Sequence, residues 1–178
     1  MISGGGTTEF IAGQGDVFQT ISLPLGAMTL TRECLVSDPP TGGEIETLSE
    51  KVDGILKGGL PGGEKTADVL LVGTGGTVAT LGAMIHHIAI PDIHPEGMNG
   101  LTLEREAVEA LFQQMKGMPR KERVLLHGLD QGRVEVILAG TLVVLRIMHA
   151  FQSSVMRISM SDILEGILIA ALGTENIA

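Results

Sequence analysis

The sequence predicts an α/β layer fold, a mixed sheet flanked by helices, and three observations predict it. Two segments rich in β-formers, 7–12 and 17–23, stand early in the chain with the turn signal Gly13-Gln14-Gly15-Asp16 between them. Downstream, stretches with helical spacing of apolar residues alternate with two short apolar runs, 68–72 and 155–159. The 178 residues are 44% hydrophobic but include only 4 Phe and no Trp or Tyr, so the chain is globular with an aliphatic core. Strands first, then alternating helix and strand, is the order of an α/β or α+β layer fold, and the length suits one domain, residues 1–178.

The two early strands form a hairpin. Pro24 and Gly26 then punctuate, and 27–35 reads as a short helix. After the loop Ser37-Asp38-Pro39-Pro40, residues Ile45, Leu48, Val52, Ile55 and Leu56 fall on one helical face, and Gly58-Gly59 stops that helix. A Pro/Gly loop over 60–65 leads to a buried strand, 68–72, then to Gly73-Thr74-Gly75-Gly76-Thr77 and a helix over 78–88. An irregular loop covers 91–100. Thr102 is expected to cap the next helix, with Glu104 and Glu106 in the first turn where the helix dipole favours acids. A connection over 119–130 leads to a long helix, about 133–151. A strand over 155–159 follows, and Asp162 with Glu165 has capping-box spacing for a last helix, 163–172.

Composition excludes several classes. A net charge of −9 repels phosphate backbones, and the scarcity of aromatic rings removes the usual platform for stacked bases, so nucleic acid is not an expected partner. Cys34 is the only cysteine; it forms no intrachain disulfide, fits a reducing compartment such as the cytoplasm, and reads as a small core residue. No signal peptide is visible. The strongest apolar run, 136–145, is shorter than the ~20 residues that span a bilayer, so it reads as a buried helix and no membrane is expected.

Two glycine-rich segments can carry chemistry. In Val72-Gly73-Thr74-Gly75-Gly76-Thr77 a strand enters a glycine loop and a helix leaves it, an arrangement whose free N–H groups and dipole stabilise an anion. Counted from Gly73, the sixth position of a dinucleotide fingerprint is Val78, and Glu64 stands where a Walker loop before Lys65-Thr66 needs glycine, so neither motif fits. Near the start, Gly4-Gly5-Gly6-Thr7-Thr8-Glu9 offers consecutive amides for an anion nest. A carboxylate beside such a nest suits a cation ligand or a water-orienting group, which is the role expected of Glu9; alone, the same stretch reads first as a flexible N-terminal turn with a solvated glutamate. His86, His87, His94, His127 and His149 show no H-x-x-x-H pair and no Cys/His zinc pattern, and are expected to be structural or solvated.

Taken together these segments resemble the exopolyphosphatase/guanosine pentaphosphate phosphohydrolase (Ppx/GppA) family. GGGTTEF (4–10) is similar to its D-I-G-G-G-S-T-E motif and SLPLGAMTLTREC (22–34) to its S-L-P-L-G-x-x-R-L-T segment. VGTGGTVATLGAM (72–84) resembles its G-T-S-G-T loop and helix. HGLDQGRVEVILAGTLVVLRIMHAF (127–151) resembles its G-L-x-x-x-R-x-D-x-I-x-A-G helix, and ISMSDILEGILI (158–169) its V-S-x-x-G-L-R-E-G-x-L ending. The resemblance implies a ribonuclease H-like lobe of the actin/hexokinase/Hsp70 (ASKHA) type, here the second of two, with the first lobe and the helical domain of longer members absent.

It implies phosphate binding by Gly4, Gly5, Gly6, Thr7, Thr8, Gly73, Thr74, Gly75, Gly76 and Thr77, a metal- or water-positioning role for Glu9, and Mg²⁺. Three positions bear on that pattern: the family aspartate falls on Ile2, the arginine of L-R-E-G on Leu164, and the acid before I-x-A-G is kept as Glu135. The implied activity is hydrolysis of terminal phosphoanhydrides of polyphosphate or guanosine pentaphosphate, which the sequence does not separate, by a parent protein of which this lobe alone would not turn over. The alternatives are a non-catalytic phosphate- or nucleotide-binding module, or an interaction domain that pairs as a homodimer or with a missing first lobe through the surface facing it.

Overall fold

A computed structural model describes residues 1–3, 5–14, 17–60, 69–161, 166–168 and 171. The chain opens with a short strand β1 (Ile2–Ser3) that pairs antiparallel with β2 (Thr8–Gln14), which pairs antiparallel with β3 (Val17–Leu23). Gln14 opposes Val17, and residues 15 and 16 between them lie outside the described residues. The second sheet has the order β4-β6-β5. Here β4 (Val72–Gly73) runs parallel to β6 (Val155–Ile158), and β5 (Thr102–Glu104) runs antiparallel to β6. Residue 1 joins the two sheets: the Met1 ammonium donates to the Val72 carbonyl, and the Thr74 N–H donates to the Met1 carbonyl, both at 2.9 Å. That alternation is the parallel ladder pattern, and it gives the continuous order β3-β2-β1-β4-β6-β5.

The helices are α1 (Ala27–Cys34), α2 (Gly42–Gly59), α3 (Gly76–Ile85), the single turn α4 (Pro95–Met98), α5 (Arg105–Lys116), the single turn α6 (Arg120–Arg123) and α7 (Ile137–Ala150). The apolar face read for α2 is the one that packs: Leu48, Val52 and Leu56 are buried, with Ile45 and Ile55 partly so. The run 136–145 forms α7, buried nearly all round because α1, α2, α3 and α5 all pack on it. Helices that are apolar on every side belong in such a centre. Cys34 is buried in the core, and the rings of Phe10 and Phe151 meet at 6.4 Å.

Four local expectations need correcting. Thr102 caps no helix; it pairs with Arg157 in β5, and Glu104 becomes the residue before α5. A free edge on β6 offers Thr102 backbone partners that a cap does not, and β-branched residues suit that place. The strand expected over 68–72 pairs only from Leu71, whose carbonyl accepts from Arg157 N–H; Val69 and Leu70 are exposed, and Asp68 lies outside the described residues. The long helix begins at Ile137, because residues 131–133 form a 3₁₀ turn capped by Asp130, whose side chain accepts from Gly132 N–H. The helix expected over 78–88 ends at Ile85. Residues 61–68, Lys65-Thr66 included, lie outside the described residues, as do Asp162, Leu164 and Glu165; of the helix expected over 163–172, only 166–168 and 171 are described.

One loop is held by a single carboxylate. Glu44 and Thr41 form a reciprocal capping box at the start of α2, and Glu44 also accepts from the backbone N–H groups of Val36 and Ser37 at 2.7 and 2.8 Å. Backbone donation from Thr41 and Ser37 holds its carboxyl down at about 2, against an ordinary value of 4.5. Because the folded-state pKa lies below the unfolded one, this stabilisation is complete above pH 4.5 and is lost as pH falls toward 2. Glu44→Gln is expected to lower the melting temperature at neutral pH and to flatten the acid limb between those values. Thermal melts at stepped pH check this; an acid limb identical to wild type would refute it.

Candidate functional site

The two glycine segments meet at one end of the helical layer. The turn after β1 packs on the start of α1, where the Met28 and Thr29 N–H groups donate to the Gly5 carbonyl at 3.1 and 3.3 Å. Gly26, the residue before α1, lies under this turn, and a Cβ there would overlap the Gly6 backbone and the Gly5 oxygen. The second segment leaves β4, turns at Gly75 with φ +98°, a backbone shape that favours glycine, and enters α3 at Gly76. The start of α7 comes equally close, because Gly140 is seated against the Thr77 side chain with no room for a Cβ.

Between these elements lies a concavity of about 340 Å³ lined by Gly5, Ala27, Met28, Thr77, Asp130, Gly132, Arg133 and Val136. The guanidinium of Arg133 lies directly over Gly76, where a Cβ would collide with it. Arg133 is exposed, and among the described residues it makes no ion pair. A guanidinium held against the positive end of a helix dipole is unfavourable unless an anion lies between them. A second concavity of about 300 Å³ lies at the far ends of α2 and α7, lined by Lys57, Arg146 and His149 among others. There Asp53 stands 3.4 Å from Arg146, so its strongest cation already has a carboxylate.

The expected site residues divide. Gly5, Gly6 and Thr7 are exposed on the first turn, and Gly5 lines the concavity; Gly4 lies outside the described residues. Thr8 is fully buried and its hydroxyl donates to the Leu25 carbonyl at 3.0 Å, so that side chain ties β2 to the chain before α1. Thr77 lines the concavity, whereas the Thr74 hydroxyl donates to the Ser161 carbonyl at 3.1 Å. Gly73 is buried, with Met156 and Val78 packed against it; Gly75 and Gly76 form the turn into α3. Glu9 does not line the concavity, and its carboxylate accepts from the Ser22 hydroxyl at 3.0 Å.

In the ladder Glu9 directly opposes position 2, where this chain has isoleucine, so no second carboxylate stands across from it. Among the described residues no group of three or more His, Cys, Asp or Glu is placed to hold a metal ion. Hard cations such as Mg²⁺ need several oxygen ligands, and one carboxylate with one hydroxyl does not make a resident site. Glu135, exposed, stands 3.5 Å from Arg120.

Asp130 and Arg133 are the residues that sequence reasoning passed over. A signal was present in HGLDQGR, since the arginine of the quoted family motif aligns with Arg133. Its meaning depended on the packing of α7 against α3, which no spacing reveals. The inward side chain of Thr8 follows from strand alternation: Thr8 shares a face with the core residue Phe10 and Glu9 takes the other.

Comparison with known proteins agrees with this architecture. The sequence profile of the Ppx/GppA phosphatase family matches residues 3–175. Exopolyphosphatase 2 of Mycobacterium tuberculosis is 32% identical over 181 residues, which cover 96% of this chain and 54% of that protein. Exopolyphosphatase 1 of Mycobacterium leprae is 29% identical, over 97% and 50%. The crystal structure of the Aquifex aeolicus member of the Ppx/GppA family superposes with a TM-score of 0.86 at 29% identity, over 99% of this chain and 56% of that one. The chain thus spans about half the length of these relatives, and its mixed sheet with flanking helices is the ASKHA-type α/β fold expected. Among the described residues no helix is long and apolar enough to cross a membrane.

Proposed function

Because the chain belongs to the Ppx/GppA phosphatase family, we propose that it is the second, phosphate-holding lobe of a hydrolase that removes terminal phosphoryl groups from inorganic polyphosphate or guanosine pentaphosphate. The observation that carries this reading is Arg133 poised over the N-terminus of α3. An oxyanion placed there accepts from the free amides at the start of α3 and from the guanidinium at once. Gly5 also lines the concavity, next to the exposed Gly6 and Thr7, and Thr77 lines it while staying 3% exposed with its Oγ1 toward Gly140. Water attacks phosphorus in such reactions, and the protein's part is to hold the phosphates and stabilise spread charge. Among the described residues Asp130 is the one carboxylate lining the concavity; its hydrogen bond from Gly132 N–H shapes the turn that presents Arg133.

Glu9, bound by Ser22, would orient a water or bind a cation brought in on the phosphate chain. Its lone carboxylate favours the second reading for the isolated chain, a module that binds phosphate without turnover. Titration of the 178-residue protein with tripolyphosphate in a calorimeter is expected to show saturable binding that weakens with salt. A phosphate-release assay on long-chain polyphosphate with Mg²⁺ is expected to show no sustained turnover. Absence of binding at millimolar tripolyphosphate overturns the phosphate reading, and sustained release overturns the non-catalytic reading of the isolated lobe.

A further inference from the structure

We infer that His87 and His127 form a two-imidazole site for a borderline-soft divalent cation of the zinc, nickel or copper kind. These residues are 40 positions apart and match no metal-binding spacing, yet their ring centroids lie 6.2 Å apart with the rings tilted at 55°. Both are exposed. A tetrahedral ion bound to two imidazole nitrogens at 2.0–2.1 Å sets the ring centroids about 5 Å apart. Closing roughly one ångström is within reach of small side-chain rotations at a surface. The remaining coordination positions fall to water.

The backbone on both sides explains why the rings meet. Residue 87 follows the C-cap residue His86 of α3 in a Schellman-type ending, in which the Ile88 N–H donates to the Ala83 carbonyl at 2.8 Å. That position calls for a left-handed residue, normally glycine; here it is His87, with φ +53°. His127 precedes Gly128, whose Cα lies so close to the Ala83 and Met84 backbone that a Cβ would stand 2.7–2.9 Å from it. The loop bearing His127 is thereby pressed onto the last turn of α3. His86 is separately engaged, with Nε2 2.8 Å from the Thr102 carbonyl.

Two features favour a cation there. The carbonyl end of α3 carries partial negative charge, and α3 has no basic residue in its last turn. Among the described residues His87 and Gln152 are the non-glycine residues with positive φ, so at this helix end a side chain stands where glycine is usual. The pair sits at the opposite end of α3 from Arg133, so it stands independently of the phosphate reading.

Zinc chloride titrated into the protein in a calorimeter near neutral pH is expected to show one saturable site that equal Mg²⁺ does not compete for. His127→Ala and His87→Ala are each expected to weaken Zn²⁺ binding roughly tenfold to a hundredfold, as loss of one of two linked contacts does, while His149→Ala changes nothing. His87→Gly separates the site from the fold: without metal it is expected to melt about 2–4 °C higher, and to lose the rise in melting temperature that Zn²⁺ gives the wild type. Equal Zn²⁺ affinity in wild type and His127→Ala, or no saturable binding to the wild type, overturns the inference.

Discussion

Gly26→Ala is expected to destabilise the protein by about 3 kcal/mol, the upper end of the usual range for overpacking. The backbone of Gly26 is ordinary, φ −76° and ψ 130°, so alanine meets no conformational strain there. The cost is contact. The new methyl would overlap the carbonyl oxygen of Gly5 and the backbone of Gly6. Neither neighbour is the far end of a flexible side chain, and Gly5 is pinned by the Met28 and Thr29 N–H groups. On the other side the Leu25 carbonyl is held by the buried Thr8 hydroxyl, so the segment cannot slide away without breaking that bond. For a chain of this size the loss corresponds to a fall in melting temperature of about 6–12 °C. Gly42→Ala is the control: it sits at the start of α2 with nothing within 4 Å of a new Cβ, and is expected to leave the melt within about 2 °C of wild type. A Gly26→Ala melt as close to wild type as that control would show that the packed turn tolerates the methyl.

Arg133→Ala is expected to weaken tripolyphosphate binding roughly tenfold to a hundredfold while leaving the melt nearly unchanged. Removing a charged donor from an anion costs about 1.5–3 kcal/mol, and this exposed guanidinium forms no ion pair among the described residues whose loss would disturb the fold. Gly76→Ala reaches the same end by another route: its methyl occupies the place of the guanidinium, which can swing aside. Both variants should bind poorly and melt normally, and calorimetry beside thermal melts reads the two quantities separately. Undiminished affinity in both would place the phosphate elsewhere on the molecule.

Much of the architecture was legible because it rests on period and punctuation. The hairpin followed from β-formers on either side of a glycine turn, α2 from five apolar residues on one face, and α7 from an apolar run too short for a bilayer. What was not legible is what non-local pairing decides. Thr102 carries the signature of a cap, yet it pairs with β6, a strand more than 50 residues away. Val69 and Leu70 look like buried strand residues, but the ladder they would join starts at Leu71. The candidate site divides in the same way. Its glycines announced themselves locally, while Arg133 over Gly76 and His87 beside His127 depend on which helices and loops press together.

The burial of α7 on every side sets a hierarchy of lifetimes in the molecule. Amides of a helix enclosed by four others exchange with solvent only when the whole domain opens, whereas those of an exposed glycine turn exchange through local openings of small cost. Arg133 is carried by an exposed turn that leads directly into this most durable element, so one end of its backbone support is lost only when the domain opens.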